Sequence, residues 1–285
     1  MTKSSFTINC AGNLINLTKP QVMGVINLTP DSFYAQSRVE DTTGILKRVE
    51  RMLIEGADFL DLGAMSSRPG APLIPSKEEL TRLLPLLRVV LKQFPSAIVS
   101  IDTIFSETAK VVISEGAAMI NDISGGTLDP KMFETIAALN VPYVLMHTRG
   151  TPETMQQKAQ YDDVAMDVLD DLIQKVGILR QMGVKDVIID PGFGFGKTIA
   201  QNFILLKKLS IFKILGVPLL AGLSRKTMIW KSLQITPDQA LNGTTALNMV
   251  ALLHGANILR VHDVRPAVET IQLYELLQGL NSDYR

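Results

Sequence analysis

Two kinds of stretch alternate along most of this chain. Short apolar runs closing on a polar residue occur at Val22–Asn27, Phe59–Ala64, Ala97–Asp102, Met119–Asp122, Tyr143–His147, Val187–Asp190, Pro218–Ser224 and Ile258–Asp263. Each is too short, and too rich in Val, Ile and Leu, for an isolated amphipathic helix. Between them lie stretches of helical periodicity such as Thr42–Glu55, Lys77–Gln93 and Val164–Met182. Strand alternating with helix, with a polar group at each strand's carboxyl end, predicts an α/β fold, the (β/α)8 or TIM barrel. Its reactive groups should gather on the rim at the C-terminal ends of the strands.

Composition narrows the picture. A chain of 285 residues suits one barrel domain over 1–285 with residues 1–20 as an N-terminal arm, and no Pro/Gly/Ser-rich linker divides it. Hydrophobic residues make up 46%, enough for a full core. Lys and Arg number 28 against 28 for Asp and Glu, so the net charge of zero argues against a sequence-independent grip on nucleic acid or an anionic membrane. The one cysteine, Cys10, excludes an intramolecular disulfide framework and reads as an incidental thiol in a polar arm. The first twenty residues hold no apolar leader and no run suits a membrane span, so a cytoplasmic protein is expected. Gly56, Gly116 and Gly255 each follow a helix and precede a strand, the signature of a C-cap before a short loop.

The strand-closing residues carry the candidate chemistry: Asn27, Asp61, Asp102, Asn121 with Asp122, His147, Asp190, Ser224, and Arg260 with His262. Any one could cap the next helix. Capping does not, however, require acids, amides and cations at one end of every strand. Asp102, Asn121 and Asp190 can offer an acceptor-rich edge to a flat heterocycle bearing amino and ring N–H donors. Arg68, Lys226, Arg260 and His262 are cationic or potentially so, and point to a substrate bearing phosphate or carboxylate. The string P-G-F-G-F-G-K-T at Pro191–Thr198 looks like a phosphate loop, but Pro191 stands where that pattern needs glycine. It also fails the dinucleotide fingerprint, and reads instead as a tight turn bringing Phe195 to the barrel mouth.

Taken in order, M-G-V-I-N-L-T-P-D-S-F, L-G-A-M-S-S-R-P-G-A, S-I-D-T, I-N-D-I-S-G-G, M-H-T-R-G-T-P, D-P-G-F-G-F-G-K-T, L-S-R-K-T and R-V-H-D-V resemble the dihydropteroate synthase family from about Gln21 to Val268. The resemblance implies a transferase joining 7,8-dihydropterin-6-ylmethyl diphosphate to 4-aminobenzoate, with release of diphosphate. It implies pterin contacts from Asp102, Asn121, Met146, Asp190, Phe195, Gly222 and Lys226. Diphosphate would be met by Asn27, Arg68, Arg260 and His262, and Mg²⁺ by Asn27. Aminobenzoate would lie near Phe33, Ser67, Arg68, Pro69, Lys226 and Thr227, its carboxylate at the start of the helix after Ser224. Asp31, Arg68 and Lys226 would be catalytic, and a homodimer through late helices is expected, with Met228, Ile229 and Trp230 available for an apolar patch or for the core.

Two loops depart from the family pattern. The first reads D-S-F-Y-A-Q-S where D-S-F-S-D-G-G is usual, and the second reads A-M-S-S-R-P-G where G-E-S-T-R-P-G is usual, so Met65 replaces an acid. These changes bear on rate and aminobenzoate affinity more than on pterin binding. A corrinoid-linked methyltransferase barrel and a pterin-binding paralogue without synthase activity are the other readings. D-S-F, S-R-P-G-A and S-R-K-T argue against the first, and only the altered loops favour the second.

Overall fold

The computed structural model describes residues 6–28, 38–65, 73–151, 153–155 and 157–279. The Thr29–Arg38 loop was expected to act at the site, as were Ser67, Arg68 and Pro69. All but the end of that loop, including Asp31 and Phe33, lies outside the described residues, as do these three.

All eight predicted runs contain a strand: β3 (Gln21–Asn27), β4 (Phe59–Gly63), β5 (Val99–Asp102), β6 (Met119–Asp122), β7 (Tyr143–Met146), β8 (Val187–Asp190), β9 (Leu220–Ala221) and β10 (Ile258–Val261). They form one parallel sheet in the order β8-β7-β6-β5-β4-β3-β10-β9. A single bridge between Ile189 and Leu219, with Ile189 N donating to Pro218 O at 2.9 Å, joins the ends into a barrel. Nearly every strand residue is buried, because a barrel strand faces filled interior on one side and helices on the other. That is why these segments read as predominantly apolar runs.

The helices are α1 (Arg38–Ile54), α2 (Ser76–Gln93), α3 (Ser106–Ser114), α4 (Met132–Leu139), α5 (Val164–Gln181), α6 (Ile199–Lys207), α7 (Thr227–Trp230), α8 (Leu241–Leu253) and α9 (Val264–Leu277). Asp163 caps α5 by accepting from Ala165 N and Met166 N, and Thr198 with Gln201 forms a capping box on α6. Gly56, Gly116 and Gly255 have φ of 99°, 104° and 105°, the left-handed geometry of the expected C-caps. Met228 and Ile229 are buried in the main core and Trp230 packs against it, so the apolar patch proposed for them belongs to the fold.

The N-terminal arm is more ordered than its polarity suggests. Residues Thr7–Cys10 (β1) and Asn13–Asn16 (β2) pair antiparallel around Ala11 and Gly12, whose φ values of 51° and 90° suit a tight hairpin. Ile8, Cys10 and Leu17 pack on Met23, Phe59, Met119, Val144, Ile188, Leu220 and Ile258, the first halves of seven strands. The hairpin therefore floors the barrel at the end opposite the candidate chemistry. Cys10 is fully buried, and burial with nearby Asp186 pushes its thiol up to about 12, which makes it a packing residue and a poor nucleophile.

Candidate active site

The centre of the rim is an acid that sequence reading noticed only as a strand end. Asp61, in the middle of β4, is fully buried and accepts three hydrogen bonds. Its Oδ1 accepts from Ser100 Oγ at 2.6 Å, and its Oδ2 from Asn121 Nδ2 at 2.9 Å and Arg260 Nε at 2.7 Å. Arg260 Nη2 also reaches Asp102 Oδ2 at 3.1 Å. The guanidinium expected at the diphosphate is thus gripped by two acids. Burial pulls Arg260 down, but Asp61 and Asp102 outweigh it and the net shift is upward.

Around this pair stand the residues expected to hold the heterocycle. Asp102 and Asp190 close β5 and β8, Asn121 is the penultimate residue of β6, and all three are buried. Because Asn121 donates its Nδ2 to Asp61, its Oδ1 is left as an acceptor. Asp190 Oδ1 accepts Gly192 N at 2.8 Å. Burial raises both Asp102 and Asp190, Arg260 opposing it at the first and Lys226 at the second. A Cβ placed on Gly222 would lie 3.9 Å from Asp190 Oδ2 and 4.0 Å from Arg260 Cβ, so this glycine borders both.

Lys226 arrives from the loop after β9. Its ammonium donates to Phe193 O and lies 4.4 Å from the centre of the Phe195 ring. Burial, partly offset by Asp190, pushes it down to about 8. Met146 packs with Met65, Ile104 and Ile123, and Phe105 and Phe195 lie against them. Met65, the residue replacing an acid in the family pattern, has therefore become part of an apolar wall.

The expected anion end is less charged than its sequence suggests. His262 bonds Ser224 Oγ through Nδ1 at 3.0 Å, and burial beside Arg260 pushes it down to about 4, so it is neutral at pH 7. It offers a hydrogen bond rather than a charge. Thr227 is exposed and opens α7, but α7 is a single turn. So short a helix has little dipole, which leaves free amides and the Thr227 hydroxyl to meet a carboxylate. Asn27 ends β3 with its side chain exposed. A Cβ on Gly63 would stand 3.6 Å from Asn27 Oδ1 and 3.3 Å from Asp102 Cβ, so glycine keeps the space between them open.

Lys197 and Arg225 were not foreseen. Lys197, the lysine of the false phosphate loop, turns inward: its Nζ donates to Gly192 O at 2.9 Å and Phe195 O at 3.0 Å, and lies 3.1 Å from His147 Nδ1. It fixes the turn that carries Phe193 O and Phe195 to Lys226. Gly192, at φ 73°, lies so close to His147 O that a Cβ would collide with it, which explains the glycine. Arg225 forks Asp263 at 2.8 and 2.9 Å and donates to the carbonyls of Pro237 and Asp238, anchoring the loop that presents Lys226. The G-K and S-R-K strings signal these residues, but His147 lies 50 residues from Lys197 and Asp263 lies 38 from Arg225, so those contacts could not be read from spacing.

Among the described residues no group of three or more His, Cys, Asp or Glu is placed to hold a metal ion. Residues 23–262 match the family described as pterin binding enzyme. The chain is 37% identical over 266 residues to the dihydropteroate synthase of Escherichia coli K12, covering 93% of this chain and 94% of that one. It superposes on dihydropteroate synthase from Xanthomonas albilineans with 4-aminobenzoic acid at TM-score 0.88 and 37% identity, covering 97% of this chain and 100% of the other. The same enzyme in complex with 7,8-dihydropteroate gives TM-score 0.84 at 33% identity over 96% of this chain and 99% of the other. The family match, the identity over nearly the whole chain and the shared barrel agree, and the chain belongs to the pterin-binding enzyme family as a dihydropteroate synthase.

Proposed function

We propose that the rim binds 7,8-dihydropterin-6-ylmethyl diphosphate with its heterocycle among Asp102, Asn121, Asp190 and Lys226. One observation carries this reading: three buried acceptors from three strands converge with a lysine beside an apolar wall of Met146 and Phe195. The carboxylates and the Asn121 Oδ1 suit amino and ring N–H donors, and Lys226 suits a ring carbonyl. Arg260 serves this pocket by neutralising Asp61 and Asp102. The diphosphate extends toward Asn27 and His262, and 4-aminobenzoate lies beside Lys226 and Thr227 together with Phe33, Ser67, Arg68 and Pro69.

Mg²⁺ fits the oxygen donor and open space at Asn27, where the ion would be held by this one amide and the substrate's phosphates. When bound it supplies charge for the departing diphosphate. The chain's own part is to orient the pterin methylene toward the aminobenzoate nitrogen and exclude water from it. Asp31 and Arg68 assist at the leaving group, and the electron-rich dihydropterin itself carries the developing positive charge. Diphosphate release that requires 4-aminobenzoate tests this reading; release independent of it, or none, would overturn it.

No helix among the described residues is long and apolar enough to cross a membrane. We place the protein in the cytoplasm. A homodimer through the late helices is supported by exposed Leu253, Leu273 and Leu277 on α8 and α9.

A further inference from the structure

Glu79 lies on α2 and is fully buried. Its Oε2 accepts from Thr103 Oγ1 at 2.6 Å, and that same hydroxyl oxygen accepts Phe105 N at 3.2 Å. Thr103 directly follows Asp102, and its own N–H donates to Asn121 O at 3.0 Å. A carboxyl on an outer helix thus ties down a turn with Asp102 at one end. At the other end is Phe105, which packs against the cluster containing Met146.

The other oxygen of Glu79 is unusual. Oε1 is buried with Oγ1 of Thr108 on α3 close by, and neither makes a hydrogen bond within ordinary distance. A carboxylate with one bonded oxygen in so dry a place is costly, whereas a neutral carboxyl fits. Burial pushes Glu79 up to about 7; Thr103 and Thr108 oppose the rise, and Asp122 at the end of β6 adds to it. Burial pushes Asp102 higher, to about 8, with Arg260 opposing the rise and Asp61, Glu79 and Asp122 adding to it, so Glu79 is ionised as Asp102 titrates.

We propose that Glu79 is a positioning residue for Asp102: through Thr103 it fixes the Asp102–Phe105 turn and so holds the Asp102 carboxyl in place on that side of the pocket. An ionised Glu79 would place a second anion behind Asp102 and delay its ionisation to higher pH. The substitution Glu79→Gln keeps the shape and removes that anion. Asp102 should then titrate at lower pH.

The first arm of the test uses no ligand. Carbon NMR of protein labelled at the aspartate carboxyls should show the Asp102 midpoint falling by roughly half a pH unit or more in Glu79→Gln. The second arm rests on the pterin reading and uses calorimetry with 7,8-dihydropterin-6-ylmethyl diphosphate. Thr103→Val should bind it about tenfold more weakly, while Thr103→Ser, which keeps the hydroxyl, should bind like the wild type. Wild-type protein that fails to bind the diphosphate would strike the pterin reading and leave the titration to decide the role of Glu79. An unmoved Asp102 midpoint in Glu79→Gln overturns the proposal, as does a Thr103→Val variant that binds as tightly as wild type.

Discussion

Arg260 on β10 and Asp61 on β4, with only β3 between them, form an ion pair inside the barrel, Nε to Oδ2 at 2.7 Å, with Asp61 fully out of solvent. Asp61 touches no proposed substrate atom, yet it orients both the Arg260 guanidinium and the Asn121 amide. Removing it leaves a buried cation facing Asp102 alone and frees Asn121 to turn. Asp61→Ala should therefore cost about 3–5 kcal/mol of stability, and pterin affinity should fall with it. Urea denaturation and calorimetry check this; unchanged affinity in a folded variant would separate Asp61 from the site.

Asp190 should anchor the heterocycle directly. Asp190→Asn keeps its size but turns one acceptor into a donor facing a donor. Pterin binding should weaken by on the order of 2–4 kcal/mol. Calorimetry showing wild-type affinity would remove Asp190 from the pocket.

The charge on Lys226 sets an alkaline limit. Burial brings it from 10.5 to about 8, so the ammonium is present below that pH and lost above it. Turnover should fall as pH rises through about 8. The unfolded lysine keeps its proton up to 10.5, so unfolding takes up a proton between these values and the Lys226 contribution to stability rises across that window. Lys226→Met should be slower and lack the alkaline limb; a limb unchanged in that variant would assign it to another group.

Mg²⁺ should be needed only with the diphosphate. Asn27 is a single protein oxygen, too little to hold the ion alone, so calorimetry should find weak binding to the free protein and tighter binding with diphosphate present. Excess chelator should stop turnover. Full activity in chelator would show that the leaving group is met by protein groups alone.

The strand pattern was legible because a barrel buries both faces of each strand, so the strands became predominantly apolar runs. The hairpin was missed because its strands are only four residues long and β2, N-L-I-N, shows no alternation of buried and exposed positions. Ala11–Gly12 between T-I-N-C and N-L-I-N was the available signal. The run at Pro218–Ser224 yielded only two strand residues. Asp102 and Asp190 were legible by their place at strand ends, whereas Asp61 lies in the middle of β4. What could not be read was pairing: Arg260 meets Asp61 across 199 residues and Asp102 across 158. Spacing showed four possible cations, but not that acids claim one of them and burial neutralises another.

The ring of strands has one thin clasp. Neighbouring strands elsewhere share two to five register pairs, while β8 and the β9 segment meet at the Ile189–Leu219 bridge alone. Asp190 is the residue after Ile189 on one side of this clasp, and the chain from Leu219 leads through Gly222 to Lys226 on the other. A heterocycle held by Asp190 and Lys226 would rivet the two sides together. Exchange of the Ile189 amide proton should therefore be rapid in the empty barrel and slow once it fills, making the substrate a structural member of the wall it occupies.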